Sequence, residues 1–96
     1  MKRRVVASVV VLDVRTPGEF SQGHIQGAVN LDVEAPTFDS EIAKLDKSKT
    51  YAVYCRSGNR SGVATQAMAK ADFTHLFNLQ NGIVDWMSQG MPTVMS

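Results

Sequence analysis

Cysteine is almost missing from this chain: Cys55 is the single one among 96 residues. No internal disulfide can form, so the fold must stand on its apolar core. A lone thiol also points to a reducing compartment, and the cytoplasm is the expected location. Histidine is scarce as well. His24 and His75 lie far apart and, with one cysteine, make no evident ligand set, so no metal is expected. Neither sign of charge is in excess, with a net charge of +1. The basic residues form no stripe: Lys2-Arg3-Arg4 stand at the start, and Lys44, Lys47 and Lys49 are scattered. That argues against nucleic acid as a partner. No apolar run approaches the roughly 20 residues of a membrane-spanning helix, so no membrane is expected either. There is no dinucleotide fingerprint and no phosphate-loop lysine, hence no expected cofactor. Internal repeats and low-complexity segments are absent.

What remains is a modest core, 44% of the residues being apolar. The length allows one domain. It is expected over 5–94, with 1–4 as a basic N-terminal end and 95–96 as a tail. The basic head and the short apolar run after it lack a small-residue cleavage site, so the run is read as part of the domain and not as a leader.

The chain alternates between two periodicities. Val5 to Val14 is apolar and β-branched, the pattern of a strand covered on both faces. Thr16, Pro17 and Glu19 then form a helix start: N-cap, N1 proline and the N3 partner of a capping box. Gly23 to Ala28 is turn-rich, and Ala28 to Leu31 reads as a short strand. Phe38, Ile42 and Leu45 recur at helical spacing. Thr50 to Tyr54 is the central strand, and Gly62 to Ala71 is a helix with Met68 as core filler. Phe73 to Leu79 is expected as a strand with Phe73, His75, Phe77 and Leu79 on one side. Ile83, Val84, Trp86 and Met87 are expected to close the core as a short helix, with Trp86 a packing anchor. The sum is an α/β fold: a small three-layer domain with a mostly parallel central sheet flanked by short helices. Functional loops in such folds sit at the carboxyl ends of strands. Asp13-Val14-Arg15 and Cys55 to Ser61 both fall there.

The second of these carries the chemistry. A strand ends at Cys55, the polar residues Arg56, Ser57, Gly58, Asn59, Arg60 and Ser61 follow, and a helix begins. Backbone N–H groups and a helix N-terminus can converge there, beside two fixed positive charges. These features favour thiolate over thiol, whose ordinary pKa is about 8.5. They would also hold an anion beside the sulfur. A buried filler cysteine should be followed by apolar residues, and this one is followed by two arginines within five positions. No histidine is placed as its base: His75 falls in an apolar strand pattern and His24 in a turn where it can bond locally. Gly58 suits unusual dihedrals, and Asn59 tolerates left-handed geometry. The implied substrate is a small oxyanion or an anionic sulfur compound.

Leu12-Asp13-Val14-Arg15-Thr16-Pro17 with Glu19-Phe20, Gly23-His24-Ile25, Gly27-Ala28-Val29-Asn30, Tyr54 with the Cys55–Ser61 loop, and Asn81-Gly82-Ile83 with Trp86 and Gly90-Met91-Pro92 occur in the order found in single-domain rhodaneses, the thiosulfate sulfurtransferases. The chain resembles that family over about 9–94. The resemblance implies that Cys55 takes the outer sulfur of thiosulfate as a persulfide, releases sulfite, and passes the sulfur to cyanide, a small thiol or a dithiol protein such as thioredoxin. It implies an active loop of Cys55 to Arg60, with Arg60 orienting the walls and positioning the anion and Arg56 at the entrance. Asp13 and Arg15 are implied as supporting residues. Cysteine phosphatases place five residues between Cys and Arg; here four separate Cys55 from Arg60, a smaller cradle that suits sulfur over phosphate.

The chain departs from the family in three places. The segment before Asp13 is short, which leaves open whether an edge element is missing. Asn81 stands where a first glycine is usual, and asparagine can hold a left-handed turn there. Asp72 occupies the helix-to-strand junction in place of glycine. The alternative function is a persulfide carrier, or a sulfur- or redox-sensing module of the same fold. A monomer is the expected state.

Overall fold

The β-branched run ending at Asp13 and the Tyr–Val run ending at Tyr54 become the two inner strands of one sheet. In the computed structural model, residues 9–90 and 93–95 are described. The expectations for the basic end 1–4, for the strand before Val9, for a missing edge element there, for Met91-Pro92 and for the last residue of the tail lie outside them. The element order is β1 (Val9–Asp13), α1 (Pro17–Gln22), β2 (Val29–Asn30), α2 (Phe38–Ile42), β3 (Thr50–Tyr54), α3 (Asn59–Lys70), β4 (Leu76–Asn78) and α4 (Gly82–Ser88). The sheet order is β2-β1-β3-β4 and every pairing is parallel. β1 pairs with β3 in a register that sets Leu12 against Val53 and Asp13 against Tyr54. From β1 the chain leaves toward β2, and from β3 it leaves the opposite way toward β4. The crevice at the carboxyl ends of β1 and β3 is therefore the point where the winding reverses, the usual ligand position in such sheets.

Side chains alternate across the sheet with period two. On one face Leu12, Val14, Tyr51, Val53 and Cys55 pack with Phe38 and Ile42 of α2, Ala64 and Met68 of α3, and Phe73. On the other, Tyr54 packs with Ile25 and with Ile83 of α4, and Trp86 closes against them. That is the expected three-layer α/β arrangement, with Met68 wholly buried as filler. The helix start at Thr16 forms as read: its hydroxyl accepts from the Glu19 N–H, and the Glu19 carboxylate accepts from the Thr16 N–H.

Several local expectations are corrected. α3 begins at Asn59, not Gly62, because Gly58 at φ 111° turns the chain straight into the helix. Arg60 and Ser61 thus lie in its first turn, and Asn59 is helical and not left-handed. The fourth strand is only Leu76–Asn78. Phe73 precedes it and is buried, Phe77 is 63% exposed, and His75 is exposed, so the expected common face does not form. Asp72 adopts φ 75° at the junction, and the chain has to travel from there before it meets the sheet. In α4, Ile83 is buried but Val84 and Met87 face outward. The left-handed residue of the Asn81-Gly82 turn is Gly82 at φ 65°, while Asn81 has φ −98°.

Candidate active site

The loop after β3 folds around its own first side chain. Cys55 is 1% exposed, and its Sγ accepts the Gly58 N–H at 3.0 Å. The thiol donates to Ser61 Oγ at 3.5 Å. Burial pushes the thiol up. The Ser61 hydroxyl and then the N–H groups of Ser61, Gly58 and Ser57 pull it down and prevail, so Cys55 ionises more readily than an ordinary thiol. Apart from the Ser61 hydroxyl, these donors are backbone groups leading into and opening α3, whose positive end faces the sulfur.

The peptides are aimed by their other ends. The carbonyl of Cys55 accepts the Ile83 N–H at 2.9 Å, and that of Arg56 accepts the Val84 N–H at 3.1 Å. Both donors are amides of the first turn of α4, which would otherwise lack partners. Such close seating leaves no room for side chains. A Cβ on Gly58 would fall on the Gln80 carbonyl oxygen, and one on Gly82 would fall on the Arg56 carbonyl. Gly82 and the α4 amides are parts of the loop's support; the sequence marks them only as a turn and the start of a core-closing helix.

Asp13 and Arg15 form the second part of the site. Asp13 is wholly buried. Its carboxylate accepts from Arg15 Nε at 3.0 Å, from Arg15 Nη2 at 2.6 Å, and from the Tyr54 hydroxyl at 2.7 Å. Arg15 Nη2 also donates to the Gly23 carbonyl at 2.6 Å. The Tyr54 oxygen in turn accepts the Ile25 N–H at 3.1 Å. Burial, and next the bond to Asp13, push the Tyr54 phenol far above its ordinary range, so it stays a donor. Asn30 straps the end of β1 by donating to the carbonyls of Asp13 and Arg15 at 2.9 Å each. The pair therefore reaches the loop through Tyr54, the residue before Cys55. Tyr54 and Asn30 were not singled out from sequence, although a tyrosine in a doubly covered strand needs a partner for its hydroxyl.

Arg60 does not stand free as an anion hook. It grips Glu19 of α1 in a two-pronged bond, Nη1 to Oε1 at 2.7 Å and Nη2 to Oε2 at 3.0 Å, and Glu34 lies 3.9 Å away. The Glu19 bond, opposed by burial, keeps the guanidinium charged well above its ordinary value. Arg60, by its bond and next against burial, draws the Glu19 carboxyl from 4.5 down to about 2. The capping residue of α1 is thus also the clamp on the loop's closing arginine, a pairing across 41 positions. Arg56 and Ser57 are exposed. Arg56 shares with Arg15, Glu19, Ile83 and Met87 the wall of a cleft of about 330 Å³ beside the loop. His24 is buried, stacked on Phe20 at 3.6 Å with Nδ1 2.8 Å from the Phe20 carbonyl, a local bond as read from the turn. Among the described residues no group of three or more His, Cys, Asp or Glu side chains could hold a metal ion, and no helix is long and apolar enough to cross a membrane.

The order of these parts along the chain has counterparts elsewhere. The family model described as "Rhodanese-like domain" matches residues 2–89. Thiosulfate sulfurtransferase 16, chloroplastic, of Arabidopsis thaliana is 37% identical over 92 residues, covering 85% of this chain and 77% of that protein. The probable adenylyltransferase/sulfurtransferase MoeZ of Mycobacterium tuberculosis is 36% identical over 87 residues, covering 91% of this chain; the chain spans 22% of MoeZ's length. Among solved structures, the rhodanese-related protein from Thermoplasma volcanium superposes with a TM-score of 0.83 at 31% identity, covering 92% of this chain and 85% of that one. A cysteine-headed loop at the reversal point of a parallel sheet, and a match over nearly the whole chain, thus lead to one conclusion: this chain belongs to the rhodanese-like family, whose relatives include named sulfurtransferases.

Proposed function

We propose that the protein transfers the sulfane sulfur of thiosulfate through a persulfide on Cys55. The observation that carries this reading is the sulfur of Cys55 held 3.0 Å from the Gly58 N–H at the head of α3, a setting for negative charge on sulfur. The Cys55 thiolate attacks the outer sulfur of thiosulfate. A new S–S bond forms, the old one breaks, and its electron pair leaves with sulfite. The persulfide keeps the single negative charge, which the loop amides continue to meet. Cyanide then takes the outer sulfur as thiocyanate and returns the thiolate; a thiol or dithiol acceptor does the same with its own persulfide as product. Arg56, exposed at the cleft, draws the dianion in. Arg60 and Glu19 hold the loop's far wall, while Asp13 and Arg15 hold its near one. Ser57, Asn59 and Ser61 complete the ring. The protein is proposed to work as a monomer in the cytoplasm.

The test is intact mass after exposure to thiosulfate. The expected result is a gain of one sulfur atom, absent in Cys55→Ser and removed by cyanide. An unmodified wild-type protein overturns the proposal. The carrier reading draws on one observation, the near-complete burial of Cys55, which would shield a stored persulfide from stray thiols. Loading without steady turnover of thiosulfate and cyanide would select it.

A further inference from the structure

Ser61 has one hydroxyl proton and stands among three acceptors. Its Oγ lies 2.6 Å from Asn78 Oδ1, 3.1 Å from the Gly58 carbonyl oxygen and 3.5 Å from Cys55 Sγ. Ser61 is wholly buried, so its partners come from the protein. With a neutral thiol the chain of donors runs one way: Cys55 S–H to Ser61, and Ser61 O–H to the Asn78 carbonyl oxygen. Each link is satisfied. Once the sulfur is an anion, that direction fails, because a hydroxyl lone pair then faces the negative charge. Ser61 has to turn its proton to the sulfur, and its own oxygen then needs a donor from the side of Asn78.

A primary amide can supply that donor by a half-turn, exchanging Oδ1 for Nδ2. A carboxylate cannot, nor can an apolar side chain. Asn78 is well placed for it. It ends β4, in register with Val53 two residues before Cys55, so it shares the face on which Cys55 lies. Its nitrogen side lies against Gly62, where even an added Cβ would make only an ordinary contact with Nδ2, at 3.8 Å. We propose that Asn78 is a positioning residue for the sulfur, its amide reversing to donate to Ser61 so that Ser61 can donate to anionic Cys55. Hydrogen bonds in such a chain reinforce one another, so the far member matters at the sulfur. The charged groups around Cys55 are Arg56 of the loop and Arg60 of α3, with Glu19 of α1 and Glu34 after β2 set against Arg60. None of them belongs to this relay.

The inference rests on Cys55 working as a thiolate, and its test reads ionisation directly and not sulfur transfer. Alkylation by iodoacetamide is followed against pH; Cys55 is the only cysteine, so the whole signal is its own. Asn78→Asp, locked as an acceptor, is expected to move the profile to higher pH and slow alkylation about tenfold at neutral pH, as fits loss of a bond to a charged group. Asn78→Ala is expected to slow it less, about threefold. Both effects are measured again in a Ser61→Ala background. The relay requires the Ala effect to vanish there and the Asp effect to fall to its through-space remainder. Equal effects in both backgrounds overturn the relay, as does unchanged alkylation in both Asn78 variants. Should Asn78→Asp fail to give a cooperative melt, the Asn78→Ala pair carries the same test. Failure here leaves persulfide loading by thiosulfate untouched, and failure of loading leaves this cycle readable.

Discussion

Replacing Glu19 by glutamine isolates the charge on the clamp between α1 and α3. Gln suits the third helical position of a capping box as Glu does, so the Thr16 cap survives and the ion pair does not. A carboxyl drawn from 4.5 to about 2 corresponds to about 3 kcal/mol if the pair were fully shielded. It is not: the Arg60 and Glu19 side chains are 24% and 31% exposed, and solvent screening brings the figure to about 1–2 kcal/mol. The pH dependence has a definite sign. The folded-state value lies below the unfolded one, so this stability is fully present above about pH 4.5 and is lost as the pH falls through about 2. Urea unfolding of the wild type and Glu19→Gln across that range gives the difference directly, and other carboxylates cancel in it. The expected gap is about 1–2 kcal/mol at neutral pH, closing below pH 4.5 and near zero at pH 2. A gap that persists unchanged at pH 2 would mean that Glu19 acts through shape alone, and the clamp would lose its electrostatic basis.

Three further outcomes follow from the same geometry. Gly58→Ala forces a left-handed alanine and drives its Cβ into Gln80; the cost is expected at about 2–5 kcal/mol, read as a lower urea midpoint with unchanged slope. Tyr54→Phe deprives Asp13 of a donor and the Ile25 N–H of an acceptor; about 1–3 kcal/mol of stability should go, and a loss below the error of the melt would refute the hub. Arg56→Ala should raise the thiosulfate concentration for half-loading by about threefold to tenfold at low salt, and much less at 1 M salt, where screening is complete within a few ångströms. Salt-independent loading in the variant and the wild type alike would remove Arg56 from the approach.

The local grammar of this fold was legible, and its long-range pairings were not. Thr16-Pro17-Gly18-Glu19 announced a helix start because capping is settled within four residues. The apolar runs announced inner strands because burial on both faces leaves a continuous pattern. Cys55 stood out because arginines do not follow core filler. Nothing local says that Glu19 will meet Arg60, or that Asn78 will meet Ser61, since each pairing depends on how the strands are ordered. The start of α3 was misplaced for a related reason. The sequence places Gly58 inside the loop as a residue of unusual dihedrals, which it has at φ 111°, but close seating against the Gln80 carbonyl also makes it the cap from which the helix starts. Phe73 and Phe77 shared a period-two pattern but not a strand, because the left-handed Asp72 delays entry into the sheet until Leu76.

The clamp also changes what the loop's arginines can do. Sequence alone gives Cys55 two positive neighbours of equal standing. The structure pairs one of them: Arg60 faces Glu19 at 2.7 Å and has Glu34 at 3.9 Å, carboxylates that offset much of its field, and its attraction to Cys55 is weaker than that to Glu19. The negative charge on Cys55 must then be met mainly by short-range donors, the Gly58, Ser57 and Ser61 amides and the Ser61 hydroxyl. Such donors act at contact distance and resist screening by salt, whereas an exposed arginine acts at range and does not. Salt should therefore separate the two duties. Thiol ionisation, followed by alkylation, is expected to be nearly indifferent to ionic strength, while thiosulfate loading weakens as salt rises. If both fell together, the charge on Arg60 would be reaching the sulfur despite its carboxylate partners, and the amide ring would not be the principal source of the anionic state.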